Sequence, residues 1–223
     1  MMRSYNERVI KELDRSVTED EYDDEYQDKN NDKTTVLVSS IYSTFLKRNM
    51  KSGNILEIGP GSYSKFDVGV THFLEPNPVR YRRLKEREKD KVVVNAFAEN
   101  IPFESDLFDT VFLFGTFTFL RSVKEFLFEV NRILKNRGVL IFDSIYRTNL
   151  SIALGYEPYT LCNFVSVFGF ILIERRYFKD SVGQEKFLWC FEKIRDFDIS
   201  YLRVPFVIGD IKNFVIERDW FLK

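Results

Sequence analysis

Residues 54–66 read NILEIGPGSYSKF, an apolar run carrying one acid that turns through two glycines two residues apart. Glycine at 59 and 61 lets a backbone turn sharply off a strand and approach a ligand with no side chain between them. A dinucleotide fingerprint requires a third glycine at position 64, where this chain has Ser64, and a helix whose N-terminus faces the pyrophosphate. Only a few residues separate Gly61 from the next apolar run, so a helix there is short. The turn therefore reads against NAD, FAD or any diphosphate, and against a nicotinamide-dependent oxidoreductase. Glu57, placed before the first glycine, suits a positively charged ligand or an amino acid.

Outward from that turn the pattern alternates between strands and helices. ILEI is a short buried strand and THFLE (71–75) a second; PNPVRYRRLKEREKDK (76–91) reads as a helix with many exposed bases. VVVNAF (92–97) is a third strand, AENIPFESDLF (98–108) a loop, and DTVFLFG (109–115) a fourth strand. The next helix is the best signalled in the chain. Ser122 and Glu125 form a capping box, Phe126, Val130, Ile133 and Leu134 make the apolar face, and Gly138 stops it. VLIFDSI (139–145) is a fifth strand; Pro158 opens a further helix that Gly169 ends; FILIERRYF and EKFLWCFEKI flank KDSVGQ as an antiparallel hairpin. Such alternation implies right-handed crossovers and a mostly parallel sheet, with a ligand beyond the carboxyl ends of the strands.

The flanks differ in character. Tyr5, Val9 and Leu13 share one face of a short helix, Leu37, Ile41 and Phe45 align in another over 34–50, and TEDEYDDEYQDKNNDK between them is acidic and polar. Residues 195–223 are apolar and aromatic without a clear period, and are expected to pack over the sheet edge or to form a homodimer surface. The predicted organisation is a helical cap over 1–53, a ligand-binding domain over 54–194 and an appendage over 195–223.

The 223 residues suit one α/β domain with additions, and 44% hydrophobic content with 23 phenylalanines supplies a bulky core. A formal net charge of -1 gives no general attraction to nucleic acid or an acidic membrane surface. Cys162 and Cys190 each sit in an apolar run, which favours buried thiols over a disulfide or metal site. With no signal peptide and no membrane-spanning run, the expectation is a soluble cytoplasmic protein.

Three further signals join the glycine turn: FLEPNP, with Glu75 ending the second strand where a carboxylate accepts both ribose hydroxyls; AFAENIPF after the third; and FDTVFLFGTFTFL, the fourth strand running into a threonine-rich aromatic loop. In this order they resemble the class I S-adenosylmethionine-dependent methyltransferases, more narrowly the branch with GVEPS-type second and AENLPF-type third motifs. The resemblance covers residues 54–145 by motif, and the hairpin at 170–194 is similar to the family's antiparallel final strand. It implies a Rossmann-like three-layer sandwich around a mostly parallel seven-stranded sheet, and S-adenosylmethionine as cofactor. The activity implied is methyl transfer to a small-molecule or peptide acceptor, with a cofactor-binding protein lacking transferase activity as the alternative.

Carried over by that resemblance, Gly59, Pro60, Gly61 and Ser62 lie along the methionine part of the cofactor, and Glu57 supports the loop and faces the amino group. Glu75 takes the ribose hydroxyls, with Pro76 and Asn77 beside the adenine. Ala98 offers its backbone N–H to the ring and Glu99 approaches the exocyclic amine. Gly115, Thr116 and Phe119 line the pocket near the sulfonium, and Tyr22 and Tyr26 are candidates to lie across it. Departures are Tyr63 in place of a further glycine and Phe97 in place of an adenine-reading Asp. No catalytic residue and no metal ligand is named. Of the alternating Phe112, Phe114, Phe117 and Phe119, the last two are expected to reach the pocket. His72 lies away from the site, Asp106 and Asp109 read as loop and strand punctuation, and the bases from Arg80 to Lys91 read as a solvated helix face.

Overall fold

The structure is a computed structural model that describes residues 33–147, 156–180 and 183–197. Its elements in chain order are α1 (Lys33–Asn49), β1 (Ile55–Ile58), β2 (His72–Leu74), α2 (Pro78–Arg87), β3 (Val92–Val94) and β4 (Phe108–Leu113). There follow α3 (Val123–Ile133), β5 (Leu134–Arg147), α4 (Pro158–Val167), β6 (Phe170–Lys179) and β7 (Glu185–Lys193). The seven strands hydrogen-bond in the order β3-β2-β1-β4-β5-β7-β6. The five strands from β3 to β5 pair in parallel, and β7 runs antiparallel to both of its neighbours. The expected mixed sheet with a hairpin at its end is therefore present.

Successive residues of a strand point to opposite faces, and the apolar runs of β4 and β5 fill both. Val111, Leu113, Leu140 and Phe142 join one core cluster with Phe126, Leu127 and Val130 of α3 and Leu161 and Val165 of α4. Phe112, Val139 and Ile141 join a second cluster with Tyr42, Phe45 and Leu46 of α1 and Leu84 of α2. Burying each of these large side chains stabilises the fold by about 1.5–3 kcal/mol. Among the aromatics, Phe142 stacks on Phe117 at 4.5 Å and on Phe191 at 5.9 Å. Phe117 is thus core rather than pocket wall, because the turn after β4 folds its ring back onto the sheet.

The connection from β1 to β2 contains no helix. Phe66, Val68 and Val70 instead pack at alternate positions against the second cluster, the period of an extended chain. Other boundaries also differ from the sequence pattern. Helix α3 ends at Ile133, because Leu134 adopts extended geometry and starts β5 opposite Phe108. Gly138 lies inside that strand, where an added Cβ would stand 2.9 Å from the Lys135 carbonyl oxygen; the glycine admits a close backbone approach at the β4–β5 irregularity. Strand β3 stops at Val94, and helix α2 starts only at Pro78, with Asn77 Oδ1 accepting from the Val79 and Arg80 N–H groups.

Both cysteines are free thiols, and burial pushes the Cys190 pKa to about 12. Among the described residues no helix is long and apolar enough to cross a membrane. The predicted helix at 5–13, the acidic segment with Tyr22 and Tyr26, and residues 198–223 lie outside the described residues.

Candidate functional site

The carboxyl ends of β1 and β4 lie side by side where the strand order reverses, the place where open α/β sheets take ligands. Gly59, at φ +69°, leaves β1 there, and an added Cβ would sit 2.5 Å from Thr116 Oγ1. Glycine is required twice over, for its backbone angle and for the approach of the turn after β4. Thr116 Oγ1 donates to the Gly59 carbonyl oxygen at 3.2 Å, joining the two turns.

Glu75 is buried at the end of β2. Its Oε2 accepts from the Gly61 N–H and its Oε1 from the Asn77 N–H, each at 3.0 Å. An ionised carboxylate has about four acceptor positions, and these two backbone N–H groups fix its orientation at the ligand edge. Asn95, which the sequence reading missed, supports this corner by donating from Nδ2 to the carbonyls of Glu75 (2.7 Å) and Pro76 (2.9 Å). Asn77 is buried as the cap of α2, Ser62 and Ala98 are buried, and Pro60 and Pro76 are half-buried.

Glu57 is 4% exposed on β1, and its Oε2 has no hydrogen-bond partner. Burial raises its pKa to about 8; the Ser64 side chain pulls the other way, Glu88 adds to the rise and Lys65 offsets part of it. A buried acceptor without a donor costs about 1–3 kcal/mol. Such a residue, beside a glycine turn at the ligand edge, fits a group that brings N–H donors and positive charge.

Glu99, expected beside an adenine amine, also has partners within the fold. Its Oε1 accepts from the backbone N–H groups of Arg121 (2.6 Å) and Ser122 (3.2 Å) at the start of α3. It thereby takes the part expected of Glu125 in the capping box, while Ser122 Oγ still accepts from the Glu125 N–H at 3.3 Å. The Arg121 guanidinium lies 4.1 Å from the centroid of the Phe97 ring, a second tie between the loops after β3 and β4. Phe119 is 51% exposed on that rim.

The pair that sequence reading did not single out is Asp143 on β5 and Tyr42 on α1. Asp143 Oδ1 accepts from the Gly115 N–H and Oδ2 from the Tyr42 hydroxyl, both at 2.7 Å. Burial raises the pKa of both groups. The available signal was the polar break Asp143-Ser144 in an otherwise apolar run. His72, at the amino end of β2, packs edge-on against Phe103 and Phe108, and Asp109 accepts from the Asn54 N–H and the Lys135 ammonium. Both lie away from the ligand edge.

Residues 57–142 match the family model described as a methyltransferase domain. The matched stretch is that of a methyltransferase enzyme domain, and the fold it shares with S-adenosylmethionine-dependent methyltransferases implies S-adenosylmethionine as cofactor. Its fold is similar to that of an S-adenosylmethionine-dependent methyltransferase from Aquifex aeolicus (15% identity, 75% of this chain and 96% of that one, TM-score 0.56). It is also similar to one from Thermotoga maritima (19% identity, 71% and 92%, TM-score 0.55). The [4+2]-cyclase SpnF shares the fold too (10% identity, 74% and 86%, TM-score 0.62). No curated protein matches the chain in sequence.

Proposed function

We propose that this protein transfers the methyl group of S-adenosylmethionine to a small-molecule or peptide acceptor by direct displacement. The observation that carries the assignment is Glu57, a buried carboxylate with an unmatched oxygen beside the glycine turn. Glu57 accepts the cofactor's amino group, while Gly59, Pro60, Gly61 and Ser62 run along its methionine part. Glu75, held by the Gly61 and Asn77 N–H groups, takes the ribose hydroxyls, Pro76, Asn77 and Ala98 border the adenine, and Glu99 stands at that end. Gly115, Thr116 and Phe119 border the acceptor side.

When bound, the cofactor supplies a methyl group already activated by its sulfonium. The protein's own work is then to hold the two turns in register, to align an acceptor atom and to exclude water. A Rossmann-like three-layer sandwich is part of the same reading, and helices that contribute to both core clusters support it. Further parts of the proposal are a helical cap over 1–53 that brings Tyr22 and Tyr26 across the cofactor, and an appendage over 195–223 that packs on the sheet or pairs two copies. Free thiols at Cys162 and Cys190 suit a reducing compartment such as the cytoplasm.

A second function has one observation in its favour. The [4+2]-cyclase SpnF has this fold, and a fold hosts more than one chemistry. The alternative is a protein that binds S-adenosylmethionine or S-adenosylhomocysteine without methyl transfer. Calorimetry with S-adenosylhomocysteine, with NAD as control, tests the ligand: micromolar binding of the first and none of the second is expected. Transfer of label from methyl-labelled S-adenosylmethionine into a cell extract then separates the enzyme from the binding protein.

A further inference from the structure

We infer that Asp143 and Tyr42 are positioning residues for the site, fixing the turn after β4 and coupling it to helix α1, a role that rests on the cofactor assignment above. The chain of contacts is continuous. The Tyr42 hydroxyl donates to Asp143 Oδ2, Asp143 Oδ1 accepts from the Gly115 N–H, and the next residue, Thr116, donates to the Gly59 carbonyl oxygen. Four separate pieces of chain meet in this way: α1, β5, the turn after β4 and the glycine turn after β1.

The geometry leaves these groups little freedom. The Tyr42 ring lies edge-on to Phe114 at 4.7 Å and to Phe178 at 5.5 Å, so its hydroxyl is aimed by packing. Asp143 is 3% exposed and Tyr42 6%. Docking α1 on the sheet does not need a carboxylate at this point; an apolar side chain of similar size packs there with less desolvation cost. What the carboxylate adds is an acceptor for the N–H of Gly115, an exposed residue held at φ +69° on the ligand edge. Gly115 borders the acceptor side, so the carboxylate sets the backbone against which cofactor and acceptor align. Coupling of this kind is reciprocal: whatever Tyr42 contributes to holding the turn for a ligand, the ligand returns to the docking of α1.

The test uses the full chain and three variants, Tyr42→Phe, Asp143→Asn and Asp143→Leu, each checked for folding by its thermal midpoint. Amide exchange without ligand reads the turn itself. Peptides covering residues 113–117 should exchange faster in Tyr42→Phe and Asp143→Leu, and near wild-type rates in Asp143→Asn, whose carbonyl still accepts from Gly115. Calorimetry with S-adenosylhomocysteine reads the consequence. Tyr42→Phe should bind about tenfold more weakly, the equivalent of one hydrogen bond to a charged group, and Asp143→Asn should restore most of the affinity lost in Asp143→Leu. In wild type the ligand should slow exchange over residues 40–49 of α1, and Tyr42→Phe should lose that response. Unchanged exchange at 113–117 in Tyr42→Phe overturns the proposal even if Asp143→Leu does not fold. If wild type binds no S-adenosylhomocysteine, the cofactor assignment fails instead, and exchange at 113–117 still decides the positioning role.

Discussion

Two carboxylates are buried at the same edge of the sheet, and they are treated in opposite ways. Within β5, Asp143 has a donor on each oxygen. At the end of β1, Glu57 is equally buried and one oxygen has none. The first is satisfied by the fold and holds it together; the second is a local cost that folding does not recover. The fold itself supplies the donors of Asp143, whereas a bound ligand is the proposed donor to the unmatched oxygen of Glu57.

The largest effect should separate the two directly. Asp143→Ala strands the Gly115 N–H and the Tyr42 hydroxyl and should lower unfolding free energy in urea by about 2–5 kcal/mol. Glu57→Gln at pH 5 should leave stability near wild type, and equal losses from both changes would break the comparison. Next comes affinity. Glu75→Ala should weaken S-adenosylhomocysteine by about 1.5–3 kcal/mol by calorimetry, since a charged acceptor is lost; an unchanged dissociation constant removes Glu75 from the site.

The third effect concerns protons. The folded pKa of Glu57, about 8, lies above the ordinary value of 4.5, so the folded state retains a proton that the unfolded chain has released. This contribution to stability is complete below pH 4.5 and is lost as pH rises toward 8, at about 1.4 kcal/mol per pH unit. Glu57→Gln should remove that slope from a series of urea midpoints. Bound S-adenosylhomocysteine brings a cationic amine that favours the ionised form, so binding near pH 7 should release a proton, visible as a buffer-dependent enthalpy. A slope unaltered in Glu57→Gln would mean that another group carries it. The smallest effect lies at the rim. Arg121→Ala removes the cation–π contact with Phe97 and should cost about 0.5–1 kcal/mol of stability.

Much of the architecture was legible because its signals are local. The run ILEI, the hairpin around KDSVGQ and the Ser122 cap each depend on neighbours in sequence. So does Gly59, whose requirement comes from its own backbone angle as well as from Thr116. What was not legible depends on distant partners. Leu134 reads as a helix residue until Phe108 pairs with it, and the sequence around Glu99 does not announce that its Oε1 meets the start of α3. Tyr42 and Asp143 are 101 residues apart, and nothing near either one announces the other. Glu57 was identified by its place in the turn, but the unmatched oxygen that gives it meaning exists only in three dimensions.

The connection from β1 to β2 has a practical consequence for enzymology. With three side chains laid flat where a helix would stand, it has no ladder of backbone bonds to resist a protease that needs an extended substrate. Lys65 is exposed in its middle, four residues beyond Gly61. Among the described residues, trypsin should therefore nick the chain at Lys65 first, and protection of that bond by S-adenosylhomocysteine would provide a gel-based occupancy assay before any acceptor is known.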